Sequence, residues 1–236
     1  MLLDAARSAL RGRLLIGLVA APLLVSCDSP HAAQARTGSP NHEWRIEGDK
    51  DCRRMGGRVY CFPQTMVDGP PDPRPGMPST VLLSIPSRPE RAAECRTYTP
   101  TGEPVRVGTL LELAEAYPDD TLKAYARRII DVELKYTLKP PVRLRWNGLD
   151  CLKIDPRSGS PERGFVCPVN TDRLDHGATL ISCNADGEVP SPGCSHEHFA
   201  DGLRFSMSYK KTCGRYWREI EAETVAFVRK AQKQER

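Results

Sequence analysis

An α+β fold, built of short antiparallel strands packed against amphipathic helices and stapled by disulfides, is what this 236-residue sequence predicts, and three observations predict it. Eight cysteines lie beyond residue 44, most of them in local pairs that flank glycines and prolines. Short runs rich in β-branched and aromatic residues recur between turn-forming clusters, as strands do. Two stretches repeat apolar residues at three- and four-residue steps, which is the helical period.

The chain begins with a segment that is not part of that fold. Arg7, Arg11 and Arg13 precede the run Leu14 to Val25, 12 apolar residues long. A spanning helix needs ~20 apolar residues, so this run fits the apolar region of a signal peptide instead. Leu24-Val25-Ser26-Cys27 closes it and resembles a bacterial lipobox. The resemblance implies cleavage ahead of Cys27 and attachment of a diacylglyceryl group to its sulfur, with palmitate-type acyl chains holding the protein to a membrane. Several acyl chains, at ~0.8 kcal/mol per buried methylene, anchor firmly where one would not. Asp28 resembles the inner-membrane retention signal of enteric lipoproteins; the expected address is the bacterial envelope, on the inner or outer membrane, with the folded part in the periplasm. Residues 1–26 are thus expected to be a signal peptide and 27–43 a lipid anchor and flexible tether. Ser29 to Asn41 has neither an aromatic residue nor an apolar face to offset the entropy of ordering it. The globular domain is expected over 44–232.

Assigning Cys27 to lipid leaves Cys52, Cys61, Cys95, Cys151, Cys167, Cys183, Cys194 and Cys213. An even number of cysteines behind an export signal predicts a disulfide framework. Cys52 and Cys61 flank Gly56-Gly57; Cys151 and Cys167 flank Pro156, Gly159, Pro161 and Gly164; Cys183 and Cys194 flank Gly187, Pro190, Pro192 and Gly193. These spacings predict three local bridges and leave Cys95 with Cys213. A zinc site would call for Cys-x-x-Cys pairs, and the sequence has none.

Within the domain, Val59 to Phe62 and Val81 to Ile85 read as strands. The stretch Asp68 to Pro78 between them is proline-rich and reads as an exposed irregular loop. Thr109 can cap a short helix over Leu110, Leu111, Leu113 and Ala114 that Pro118 ends. Asp119 or Asp120 can cap a longer helix with Leu122, Tyr125, Ala126, Ile129, Val132 and Tyr136 on its buried face; Arg127, Arg128 and Lys135 fall on its polar positions. Five short strands follow the Pro140-Pro141 pair: Val142 to Trp146, Leu152 to Ile154, Phe165 to Val169, Thr179 to Cys183 and Leu203 to Tyr209. The last alternates apolar and polar residues. A final helix from about Arg215 to about Lys230 carries Trp217, Ile220, Thr224 and Val228 on one stripe and Arg218, Glu219, Glu221, Arg229 and Lys233 opposite. Such a helix is expected to cover one side of the sheet.

Charge narrows the partners. Removing three arginines and Asp4 with the leader lowers the formal net charge from +4 to +2, without the basic footprint of a nucleic-acid binder. Hydrolase and nucleotide signatures are missing: no Gly-x-Ser-x-Gly, no His-Glu-x-x-His and no phosphate-cradling glycine loop occur. His196-Glu197-His198 is the one stretch with ligand chemistry. In a strand, residues two apart share a face, so His196 and His198 could hold zinc or copper with His176 or Asp201. The alternative, preferred on the sequence, is a polar turn between Cys194 and the strand at Leu203, leaving no metal, no cofactor and no catalytic residue.

The segment from Cys183 to Val228, with Cys194, Asp201-Gly202-Leu203-Arg204-Phe205-Ser206-Met207-Ser208-Tyr209 and Trp217-Arg218-Glu219-Ile220, resembles the C-terminal part of cysteine-rich envelope lipoproteins. Some of these are immunity proteins against type VI secretion lipase effectors. The resemblance implies a protein that binds an incoming toxin and blocks it by occlusion, with a protein as its partner. The alternatives are a structural subunit of an envelope complex and a metal-binding or enzymatic lipoprotein.

Overall fold

The computed structural model describes residues 44–69, 77–86, 88, 97–98, 104–105, 108–158 and 162–233. The leader, Cys27, the tether, Cys95 and positions 70–76 of the proline-rich loop lie outside the described residues.

Strands β1 (Trp44–Glu47), β2 (Lys50–Met55) and β3 (Arg58–Pro63) make a three-stranded antiparallel sheet. Gly56 and Gly57 form its second turn, and both take positive φ, as a two-residue hairpin whose twist matches its strands requires. After β4 (Val67–Asp68) and β5 (Thr80–Pro86), a short ribbon pairs β6 (Thr97–Tyr98) with β7 (Pro104–Val105). Next come β8 (Gly108–Glu115), helix α1 (Leu122–Lys135), β9 (Arg143–Trp146), β10 (Leu149–Lys153), β11 (Arg163–Val169) and β12 (Ala178–Asn184). Strands β13 (Gly193–Ala200) and β14 (Leu203–Lys210) precede helix α2 (Trp217–Ala231). A single nine-stranded sheet orders them β4-β5-β8-β14-β13-β12-β11-β10-β9, every neighbour antiparallel. The protein is therefore mostly antiparallel β, with two helices among the described residues.

Both faces of this sheet are covered, whereas a cover on one side was expected. One core joins Leu111, Leu113, Phe205 and Met207 of the sheet to Trp217, Ile220, Val225 and Val228 of α2 and to Met55, Tyr60 and Phe62 of the small sheet. The other joins Val166, Leu180 and Phe199 to Ala126 and Ile130 of α1. Arg53 locks the small sheet in place: its guanidinium is buried, pairs with Asp51 at 2.8 Å, and donates to the Thr80 carbonyl of β5 at 2.8 Å. At the far end of α2, Lys233 donates its backbone N–H to the Val59 carbonyl at 2.8 Å.

Three expectations are corrected. Thr109 to Ala114 is strand β8, not a helix. Thr109, Leu111 and Leu113 are buried while Leu110 is exposed, a two-residue period satisfied by pairing with β5 on one side and β14 on the other. Helix α1 is capped not by Asp119 or Asp120 but by Thr121, whose hydroxyl accepts the Ala124 N–H at 3.2 Å. Its buried arc runs through Tyr125, Ala126 and Ile130, so Val132 points outward. Finally, the presumed turn after Cys194 is β13, a central strand of the sheet.

Three disulfides close in the expected pairs, Cys52–Cys61, Cys151–Cys167 and Cys183–Cys194. Two of them join residues directly opposite in register, Cys52 with Cys61 and Cys183 with Cys194, so they rivet strand to strand. Cys213 is also disulfide-bonded. Its expected partner Cys95 lies outside the described residues.

Candidate functional site

Strands β13 and β14 form the hairpin about which the polar chemistry gathers. Asp201-Gly202 turns it in two residues, both at positive φ, and the tight turn fixes the register Ala200 opposite Leu203. Because side chains alternate, the hairpin sends His196 and His198 toward α2, and Glu197, Arg204 and Ser206 toward α1.

On the α2 side the two histidines meet Glu221. His196 Nε2 lies 2.9 Å from the carboxylate, and His198 Nδ1 lies 3.2 Å from the same oxygen. Thr179 Oγ1 donates to that oxygen at 2.7 Å and lies 2.9 Å from His198 Nδ1. Tyr209 Oη sits 3.1 Å from His196 Nδ1. This pattern assigns a neutral His196 that donates from Nε2 to Glu221 and accepts the Tyr209 hydroxyl at Nδ1. Burial, the larger effect, pushes the pKa of the fully buried His196 down although Glu221 pulls it up. Burial pushes Glu221 up, but hydrogen bonds from His196 and His198 outweigh it and hold the carboxyl well below its usual range. The Tyr209 hydroxyl is pushed up by burial and by Glu221.

Sequence reasoning placed Glu221 on the solvent face of α2, yet its side chain is only 21% exposed. The signal was available: Glu221 sits between Trp217 and Thr224 at helical steps, inside the apolar arc. Neither suggested third metal ligand joins the cluster. His176 is exposed beside Asp175, and Asp201 accepts from Arg229 at 2.7 Å. Among the described residues the ligand atoms of His196, His198 and Glu221 do not gather closely enough to form a group that could hold a metal ion. Thr179 gives its hydroxyl proton to Glu221, which completes the hydrogen bonding of the cluster.

On the opposite face Glu197 accepts two bonds from Arg204, at 2.7 and 2.9 Å, and one from Ser206 at 2.8 Å. Arg204 also donates to Tyr125 Oη at 3.3 Å. Burial lowers the Arg204 pKa, but Glu197 outweighs it and raises it. Tyr125 and Tyr117 meet edge to face at 5.5 Å, and the Arg128 guanidinium lies 5.4 Å from both rings. Beside this cluster opens a cleft of about 870 Å³, lined by α1, by strands β12 to β14 and, toward α2, by Cys213 and Ile220.

This fold resembles that of an immunity protein. Smlt3025, an immunity protein of the Stenotrophomonas maltophilia type IV secretion system, matches with a TM-score of 0.50 at 15% identity, over 83% of this chain and 97% of its own. The likeness is one of fold. No protein-family model matches the sequence, and no curated protein matches it. Among the described residues no helix is long and apolar enough to cross a membrane.

Proposed function

We propose that this protein is an immunity protein, which neutralises a toxin by binding it, and that it does so from the periplasmic side of the bacterial envelope, lipid-anchored through Cys27. The observation that carries the reading is the fold shared with Smlt3025 across nearly the whole of that protein. Disulfides on neighbouring strands support export to an oxidising compartment. The lipobox-like Leu24-Val25-Ser26-Cys27 supports the anchor. Neutralisation by occlusion needs an interface and no reacting group, and the histidine cluster fits that requirement: its two imidazoles are buried and its hydrogen bonds are internally satisfied.

The resemblance of Cys183 to Val228 points to effectors of type VI secretion, whereas the matching structure belongs to a type IV system. Common to both is toxin neutralisation, and the proposal rests on that. Calorimetric titration of the processed chain with the product of any neighbouring gene that proves toxic when expressed in the periplasm tests it. Stoichiometric association is the expected result; no association would favour a structural subunit of an envelope complex.

A further inference from the structure

We infer that the outer face of the small sheet β1-β2-β3 rests on the anionic phospholipid headgroups of the membrane that holds the anchor. The inference rests on the lipid-anchor reading above and adds to it the face that meets the bilayer and the lipid chemistry it takes.

Alternation along the strands fixes which residues share this face. Met55, Tyr60 and Phe62 point into the core, so the residues between them in register point away from it. Arg45 lies opposite Cys52, Glu47 opposite Lys50 and Arg54 opposite Val59, with the Cys52–Cys61 bridge between. Glu47 is the only acidic strand residue on this face, and two cations share it: Arg45 and Lys233 both pair with its carboxylate. Lys233 is brought here by its backbone bond to Val59, beside the bridge between Tyr60 and Gln232. Lys50 is exposed, as is Lys230 on the last turn of α2. Arg45, Lys50, Lys230 and Lys233 thus stand against Glu47 and, in the β1–β2 turn, Asp49. The surplus is positive even before Arg54 is counted, whose guanidinium donates to the Gly57 carbonyl at 3.2 Å.

The anchor decides what meets that charge. Trp44, the first residue of β1, is 17 residues beyond Cys27. A chain of that length spans at most about 60 Å, and as a loose coil about 20–25 Å. Strand β1 is therefore the described element that the anchor holds closest to the bilayer. A short tether keeps its two ends at an effective concentration on the order of millimolar, so a contact too weak for a free domain is populated for an anchored one. Clusters of about four to eight lysines and arginines beside a membrane anchor are drawn to anionic headgroups in this way. Ile46 adds an apolar contact on the same strand: β1 is the edge of the small sheet, and Ile46 is 46% exposed there.

The test uses the full processed, acylated chain reconstituted into vesicles of phosphatidylcholine, either alone or with about 30% phosphatidylglycerol. Flotation shows whether the chain is anchored, and a water-soluble amine reagent read by mass spectrometry gives the labelling rate of each lysine. Lys50, Lys230 and Lys233 are expected to label about threefold or more slowly on the anionic vesicles, and about 0.5 M NaCl is expected to remove that protection. Lys123 of α1 and Lys153 of β10, both exposed, are expected to label alike on the two vesicles. Arg45→Glu combined with Lys50→Glu, folded as judged by unchanged melting, is expected to lose the protection of Lys230 and Lys233. Equal rates on both vesicles for a chain that floats with them overturn the inference and leave the anchor standing. So does protection centred on Lys123 or Lys153. Protection that appears only when the toxin is added, on neutral and anionic vesicles equally, gives this face to the toxin and overturns the lipid assignment. A processed chain that floats with neither vesicle removes the anchor reading and this inference with it.

Discussion

His196 at the centre of the sheet and Glu221 on α2 are joined by a 2.9 Å hydrogen bond in the buried layer between helix and strands. Both groups have folded pKa values below their ordinary ones of 6.5 and 4.5. The unfolded chain therefore binds more protons than the folded one as pH falls, so each group stabilises the fold above its ordinary value and loses that contribution on acidification. Stability in urea is expected to drop in two stages, first below pH 6.5 as His196 must stay neutral, then below pH 4.5 as Glu221 must stay ionised. Glu221→Ala, which leaves buried donors unpaired, is expected to cost about 3 kcal/mol at pH 7 and to flatten the second stage. An unchanged acid profile in that variant would show that Glu221 is not ionised in the fold.

The Glu197–Arg204 pair has a different signature. Its members are largely shielded from water, and deleting one leaves the other's charge buried. Glu197→Ala is expected to cost about 3–5 kcal/mol, whereas replacing both residues by apolar ones of similar volume is expected to cost much less. A double-mutant cycle in chemical denaturation measures it; additive losses would mean that the two groups are solvated independently.

Peptide mapping without reduction is expected to recover Cys52–Cys61, Cys151–Cys167 and Cys183–Cys194, with no free thiol at Cys213. Replacing Cys183 and Cys194 by alanine is expected to lower stability by ~2–4 kcal/mol. Any shuffled pair among the six would contradict the strand register.

Cys27→Ser is expected to abolish acylation and to release the protein from the membrane fraction. Palmitate label that still enters the variant would refute the lipobox assignment.

The three local disulfides and half of the strands were legible in the sequence because they are local: glycine and proline between paired cysteines, and alternation such as Leu203, Phe205, Met207 and Tyr209. Strand β8 was misread because Leu110, Leu111, Leu113 and Ala114 satisfy a helical period as well as an extended one, and only pairing on both sides decides between them. Strand β13 was misread because its inward positions are histidines, polar by composition but buried once Glu221, Thr179 and Tyr209 satisfy them. Asp201-Gly202 between two extended runs was the local signal for that hairpin. The cleft was not legible at all: its floor comes from register across β12, β13 and β14, and its wall from where α1 comes to lie.

Growth of a strain deleted for this gene and its neighbours, with the neighbouring toxin directed to the periplasm, tests the central claim most directly. Expression of this protein is expected to restore growth, the lipid-anchored form at lower dose than an unanchored one. Toxin-dependent death that persists at full expression of the folded, exported protein would contradict the account.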